Sequence, residues 1–404
     1  MSTKTYVSDL LNRLPESATL AMARMSRELK EDGNDVISLS LGEPDFNAPD
    51  FVKEACKKAV DDDYSHYPPV NGYGELREAI CCKFLRDNDL VYTPDQIVVS
   101  TGAKQTISNV VYALVNPGDE VLLPAPFWVS YAAMVQLAGG VPVIIPTQIE
   151  NDFKITAEEL RSNISDKTKL MIYSSPCNPS GSVYSKDELT ALAEVIKSKP
   201  DFFVVSDEIY EHINYTGEHA SLGTIPGIFD QVITVNGVSK AFAMTGYRIG
   251  YLGAPTWIAK ACSKMQGQVT SAPSGVSQMA AKAAVLAEPS SVFYMKNAFL
   301  KRRDMMLEKL GEIPGLKLNV PEGAFYIFPN CMELLGTLTD DGQEINTSSD
   351  LCMYLLKEEN VALVAGDAFG AAECFRLSYA ASDEMLVDAA ARMKRAFGKL
   401  KKQN

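Results

Sequence analysis

Between residues 97 and 253 the chain alternates short apolar runs with stretches of helical period, and this alternation constrains the fold more than any other feature. Seven runs read as strands: Ile97–Ser100, Glu120–Leu123, Val141–Ile145, Leu170–Tyr173, Phe202–Ser206, Val232–Val235 and Ile249–Gly253. Helical stretches such as Lys104–Leu114 and Lys186–Lys197 lie between several of them. A strand that returns to its sheet through a helix pairs in parallel, and the helices then cover both faces. The expectation is an α/β protein, with a mostly parallel seven-stranded sheet between helices in a large domain, plus a smaller α+β domain. The pattern changes after residue 288. A helical stretch, Pro289–Leu310, leads into the Gly- and Pro-punctuated segment Gly311–Asn330. Short strands are expected at Val361–Val364 and Phe375–Ser378. The expected division is residues 1–44 as an N-terminal segment packing with the small domain, 45–288 as the large domain and 289–404 as the small one.

Composition narrows the class. With 46% hydrophobic and 22% charged residues the chain can bury a core of this size, so extensive disorder is excluded. No apolar run reaches about 18 residues, so no membrane-spanning helix is expected. The start, MSTKTYVSDLLNRLPES, lacks the apolar stretch of a signal peptide. A net charge of −13 without a basic stripe argues against a nucleic-acid partner. The eight cysteines include no C-x-x-C pair, and most lie in apolar segments, such as Cys81-Cys82 and Cys352. That suits reduced thiols and a cytoplasmic location. His66, His212 and His219 do not stand at metal-ligand spacings, so no metal site is expected.

In an open parallel sheet, ligands bind beyond the carboxyl ends of the strands. Polar residues follow five of the seven runs at that end: Thr-Gly-Ala-Lys-Gln from Thr101, Trp128, Asn178, Asp207 with Tyr210, and Ser239-Lys240. They converge on one site. Gly102-Ala103-Lys104 opens a helix, where free N–H groups and the positive dipole end cradle a phosphate, unless the glycine serves only the turn. Asp207 follows a very apolar strand, where an isolated charge is costly; it either holds a cationic ring nitrogen or caps a helix. Lys240 has the flanks Ser-Lys-Ala-Phe-Ala-Met, unlike those of a solvated surface lysine. Burial lowers a lysine's pKa and makes it a nucleophilic amine. Arg248 nearby adds to that lowering and can grip a phosphate. Arg376, inside Cys-Phe-Arg-Leu-Ser-Tyr, wants a planar anion, either a substrate carboxylate or a neighbouring glutamate.

Four segments make the pattern recognisable: Ser-Leu-Gly-Glu-Pro-Asp-Phe (40–46), Asn-Pro-Ser-Gly (178–181), Ser-Asp-Glu-Ile-Tyr (206–210) and Ser-Lys-Ala-Phe-Ala-Met-Thr-Gly-Tyr-Arg-Ile-Gly (239–250). With Asp207 and Arg376 they closely resemble the class I pyridoxal-phosphate-dependent aminotransferases, of PLP-transferase fold, and most of all the bacterial-type aspartate aminotransferases. The resemblance runs from about Pro15 to the C-terminal helix. It implies pyridoxal 5′-phosphate as cofactor, carried by Lys240, which also moves a proton between the substrate Cα and the cofactor C4′. It implies Asp207 on the pyridinium nitrogen and Asn178 with Tyr210 on the phenolate oxygen. Trp128 matches the aromatic that stacks on the ring, and Ala103, Lys104 and Arg248 match the phosphate cup. Tyr67 resembles a tyrosine that reaches the phosphate of the neighbouring subunit, which implies a homodimer with shared active sites. Arg376 and Gly42 match the groups that bind the substrate α-carboxylate, with Trp128 and Asn178 also bordering the substrate. One position departs. Many relatives carry serine three residues before the lysine, and here it is Gly237, so a phosphate contact is lost or supplied by a neighbouring backbone N–H.

The implied substrates are amino acids and 2-oxo acids. A dicarboxylate needs a cation for its distal carboxylate. One branch of the family takes an arginine from the partner subunit; Gln268 and Thr270 occupy that region here. A second branch uses the lysine of Gly-x-Lys-Gln, which Lys104 matches. Ser17 and Thr19 resemble the hydroxyl residues that assist it as the small domain closes and excludes water. The implied reaction is transfer of the amino group of L-aspartate to 2-oxoglutarate, giving oxaloacetate and L-glutamate. The alternatives are a prephenate or a broad-specificity (aromatic or alanine) aminotransferase and, behind these, a lyase on the same scaffold.

Overall fold

The computed structural model describes residues 6–402. Its central sheet has seven strands among the described residues, in the order Ile97–Ser100, Gly250–Gly253, Val232–Gly237, Phe203–Asp207, Thr168–Ser174, Glu120–Pro124 and Val141–Ile145. The expected α/β architecture with a mostly parallel seven-stranded sheet is present, and the strand limits shift by no more than two residues. Gly250–Gly253 runs antiparallel to both of its neighbours. The cause is its connection: residues 238–249 hold one short turn, Thr245–Tyr247, and no helix that could carry the chain back for parallel pairing.

Alternation along the strands divides the core. Val121, Leu123, Val205 and Ile233 cluster on one face with Val110 and Val111 of the helix Gly102–Leu114. Leu122, Met171, Val204 and Val232 cluster on the other with Leu189, Leu192 and Ile196 of the helix Lys186–Lys197. Successive side chains on a strand point to opposite faces, so continuous apolar runs suit a sheet covered on both sides. Ser185 and Glu188 set where the second helix begins: Glu188 N–H donates to Ser185 Oγ at 3.2 Å and Ser185 N–H to Glu188 Oε2 at 2.7 Å.

Beyond residue 288 two expectations are refined. Pro289–Val292 is a 3-10 turn, and the helix proper is Phe293–Gly311. The stretch Val361–Val364 is two strands. Val361–Ala362 pairs in parallel with Ile37–Ser38, and Val364–Ala365 pairs antiparallel with Phe375–Ser378, whose other edge takes Tyr326–Ile327. The helix Ala18–Glu31 places Met22 against Val36, Leu356 and Ala362. All eight cysteines are free thiols. Among the described residues no helix is long and apolar enough to cross a membrane.

Candidate active site

The antiparallel strand builds one wall of the site. Because Gly250–Gly253 is reversed, its first residue stands beside the last residues of its neighbours: Gly250 pairs with Ser100 and with Gly237. Arg248, two residues upstream, is thereby carried to the start of the helix Gly102–Leu114. The approach is close enough to require glycine twice. A Cβ on Gly102 would lie 2.2 Å from Arg248 Nη2, and a Cβ on Gly250 would lie 2.2 Å from Ala103 N. Gly102 also has φ +81°, which favours glycine. Thr101 gives this helix no side-chain cap among the described residues. The first-turn N–H groups, the dipole and Arg248 together form an anion cradle. The same strand pairing bears on Gly237, where a Cβ would lie 2.9 Å from Ile249 O. In this backbone a side chain at the position would crowd the facing strand; Ser239, two residues on, lines the cavity.

Beyond these strand ends lies a cavity of about 310 Å3. Ser17, Thr19, Gly42, Ala103, Lys104, Trp128, Asn178, Asp207, Tyr210, Lys240, Arg248 and Arg376 line it. Tyr67 stands apart, its side chain 99% exposed. Gln268 and Thr270 also lie outside the lining, and Thr270 accepts a hydrogen bond from Gln105.

Lys240 donates from Nζ to Gly42 O at 2.5 Å. Burial, and next the charge of Arg376, lower its pKa to about 8, while Glu43 acts in the opposite sense. An amine held this way is a usable nucleophile near neutral pH. Asp207 ends its strand with Oδ2 accepting from Tyr131 O–H at 2.6 Å and Oδ1 from Ile209 N–H at 3.3 Å. Burial raises its pKa to about 6, against the opposing pull of the Tyr131 hydrogen bond. Burial holds the Tyr131 phenol well above its ordinary value, so it remains a donor. Two donors fill about half of a carboxylate's acceptor capacity, which leaves Asp207 fitted to a cationic partner. Trp128 meets Tyr131 edge-on at 5.5 Å. Lys104 Nζ stands 5.0 Å from the Trp128 ring centroid, and burial, then the charge of Arg248, lower its pKa.

Arg376 is fully buried on the strand Phe375–Ser378. Its Nη1 donates to Asn178 Oδ1 at 3.0 Å and its Nη2 to Ser40 O at 2.5 Å. Its Nε has no partner among the described residues. A buried guanidinium with an unmet donor fits an incoming carboxylate. Asn178 spends its oxygen on Arg376, which leaves its amide N–H groups for other acceptors. Thr19 Oγ1 and Ser174 Oγ, both on the cavity, are buried without partners among the described residues.

The sequence does not single out Tyr131, Ser174, Thr245 or Tyr326, which also line the cavity. Glu43 does too, bonded to Thr245, although the two lie inside the motifs 40–46 and 239–250. Tyr210 and Tyr326 face each other, hydroxyl to hydroxyl, at 2.8 Å. A tyrosine in an apolar segment reads as core, and the register of a two-residue strand has no signature in sequence.

Behind Asp207 sits a buried ion network that histidine spacing does not foretell. Asp87, Glu211 and His212 bring ligand atoms within 4.8 Å of one another, as do Glu208, Glu211 and His219. Their oxygens are already engaged. Glu208 accepts from Ser206, Ser221 and Asn88, and His219 Nε2 lies 2.8 Å from it. Glu211 accepts from Asn88 and pairs with Lys83. Lys83 supplies a cation within the cluster.

Residues 34–393 match the family described as aminotransferase class I and II. The chain is 45% identical over 399 residues to the bifunctional aspartate aminotransferase and glutamate/aspartate-prephenate aminotransferase of Petunia hybrida, covering 98% of this chain and 83% of that one. The crystal structure of the aspartate aminotransferase from Rhizobium meliloti matches with a TM-score of 0.95 at 40% identity, covering 98% of this chain and 100% of the other. The aspartate aminotransferase from Thermus thermophilus with maleate matches with a TM-score of 0.91 at 39% identity, covering 97% and 100%.

Proposed function

Because the chain belongs to the class I and II aminotransferases, we propose that it transfers the amino group of L-aspartate to 2-oxoglutarate, giving oxaloacetate and L-glutamate, with pyridoxal 5′-phosphate as cofactor. The observation that carries this is the convergence of Lys240, Asp207, Arg376 and Lys104 on one cavity.

The residues present fit the cofactor. The uncapped helix start and the glycine-lined approach of Arg248 suit its phosphate, and the half-satisfied, buried Asp207 suits a protonated ring nitrogen. Bound there, the cofactor supplies a carbonyl that takes up the substrate amino group and a ring that accepts electrons from the substrate Cα. Lys240 would hold it through Nζ, and the same amine would move the proton at the substrate Cα. Asp207, ionised, keeps the ring nitrogen protonated. The Asn178 amide and the Tyr210 hydroxyl would donate to the phenolate oxygen, and Trp128 would lie against the ring. Ala103, Lys104 and Arg248 surround the phosphate. Tyr67 reaches the phosphate of a neighbouring copy in a homodimer, a role that its full exposure in the single chain supports.

Arg376 and the Gly42 backbone hold the α-carboxylate. Of the four cations on the cavity, Lys240 and Arg248 are assigned to the cofactor; Arg376 and Lys104 remain for two carboxylates, and Ser17 and Thr19 add hydroxyls. The Thermus relative solved with maleate, a dicarboxylate, supports the same substrate class. We assign residues 45–288 to the cofactor-binding domain. Residues 1–44 and 289–404 form the part that closes on the substrate, supported by the pairing of Ile37–Ser38 with Val361–Ala362. The free thiols support a cytoplasmic setting. Prephenate also carries two carboxylates and is named in the Petunia relative, so prephenate amination is the second reading. Rates with prephenate and 2-oxoglutarate as competing acceptors separate the two.

Lys104→Ala tests the substrate class. Loss of a charge-assisted contact should cut kcat/KM for aspartate by about 30- to 100-fold and lower it far less for alanine and phenylalanine. Equal losses for all three donors would leave Lys104 with only a phosphate or packing role.

A further inference from the structure

Tyr326 lines the cavity and has no part in the chemistry assigned above. Its place is set by strand register. Tyr326 is paired with Ser378, two residues beyond Arg376 on the strand Phe375–Ser378. Residues i and i+2 of a strand share a face, so Tyr326 is the diagonal neighbour of Arg376 on the side turned to the cavity. The ring consequently lies 4.6 Å from the Arg376 guanidinium carbon. Its hydroxyl lies 2.8 Å from that of Tyr210. The backbone opposite makes room for that hydroxyl: a Cβ on Gly42 would lie 2.1 Å from the Tyr326 oxygen. A side chain at this position would have to displace that hydroxyl.

We propose that Tyr326 is a positioning residue for this reaction, whose hydroxyl donates to Tyr210 and thereby turns the Tyr210 proton toward the cofactor's phenolate oxygen, while its ring braces Arg376. The proposal rests on the cofactor assignment above. A phenol has one proton. If Tyr210 gives its proton to Tyr326, none remains for the cavity; if Tyr326 is the donor, the Tyr210 proton is free. An acceptor placed beyond Tyr210 selects the second arrangement, and a hydroxyl that accepts a hydrogen bond becomes a stronger donor. The charged groups facing the pair are Arg376 beside both phenols, Asp207 acting on Tyr210, and Lys240, whose Nζ is 5.9 Å from the Tyr210 ring centroid. Burial raises both phenols above their ordinary values, and the opposing pull of Arg376 does not reverse it. Both therefore keep their protons at neutral pH and remain donors.

Hydroxyl and ring can be separated by substitution. Tyr326→Phe removes the hydroxyl and keeps the ring against Arg376; Tyr326→Leu removes both. The readout is the pH midpoint of the visible absorbance band of the holoenzyme, alongside KM for aspartate. Donors to the phenolate oxygen stabilise its anion and hold that midpoint low. Tyr326→Phe should raise it by a few tenths of a pH unit, the size of a cooperative hydrogen-bond contribution, with KM unchanged. Tyr326→Leu should raise it equally and also raise KM about fivefold, as expected for a lost cation–π contact. Gly42→Ala, whose methyl displaces the hydroxyl, should move the midpoint in the same direction. A Tyr326→Phe holoenzyme with a full-strength band and an unmoved midpoint would overturn the proposal and leave the cofactor assignment standing, even if the variant were less heat-stable. No visible band in the wild-type protein supplied with pyridoxal phosphate would overturn both.

Discussion

Two of the buried ionisable groups on the cavity lie on either side of neutrality, Lys240 at about 8 and Asp207 at about 6, each moved mainly by burial. Capture of the cofactor by stripped protein should follow both. Covalent attachment should quicken as pH rises through about 8, where the folded-state amine of Lys240 loses its proton. Retention should weaken as pH falls below about 6, where Asp207 gains a proton and no longer attracts a cationic nitrogen. Stopped-flow absorbance across pH 5–9 measures this, and Lys240→Ala should show no covalent attachment at any pH. A flat profile in the wild-type protein would disprove the proton assignments. At this scale the sequence is most legible where a charge interrupts an apolar run, since a buried charge must have a purpose or a partner. Lys240, Asp207 and Arg376 all announce themselves that way. Tyr131 and Tyr326 do not, because a buried tyrosine needs only a hydrogen-bond partner to sit in any core.

Among the elements, the strand Phe203–Asp207 presents Asp207 to the cavity, and the segment after it is tied down from behind. Glu208 and Glu211 are bonded to Asn88, and Lys83 pairs with Glu211; both Lys83 and Asn88 belong to the helix Gly74–Asn88. Burial would raise the pKa of Glu211, but the charges of Lys83, His212 and His219 outweigh it and hold it at about 2. A folded-state pKa below the unfolded one stabilises the fold above about pH 4.5, and that stabilisation is lost as pH falls toward 2. Lys83→Met should strand Glu211 and cost about 3–5 kcal/mol in denaturant unfolding at pH 7, with acid unfolding starting at higher pH. Unfolding free energy within error of wild type would show that Glu211 does not depend on Lys83. The seven long strands are legible because runs of apolar residues bounded by polar turns leave little choice. The split of Val361–Val364 is not, because Val361–Ala362 and Val364–Ala365 owe their existence to different partners far along the chain.

The whole molecule assembles its cavity from distant parts of the chain: Ser17 and Gly42 near the start, the strand ends from Ala103 to Arg248, and Tyr326 with Arg376 near the end. The large sheet could be laid out from local pattern, whereas the meeting of these three stretches depends on long-range packing. In the proposed homodimer Tyr67 reaches across to the second copy. Sedimentation should give twice the 44.1 kDa of one chain, and Tyr67→Ala should weaken cofactor retention with the fold intact. A monomer that holds the cofactor as tightly would refute the shared site. Amino-group transfer from a dicarboxylic donor can be followed in the absorbance spectrum of the holoenzyme as L-aspartate is added without an acceptor. The expected result is loss of the visible band in favour of the amine form, with the band restored by 2-oxoglutarate. A band that ignores aspartate and responds to another amino donor would contradict the dicarboxylate assignment, and a protein that forms no band even when supplied with pyridoxal phosphate would contradict the claim altogether.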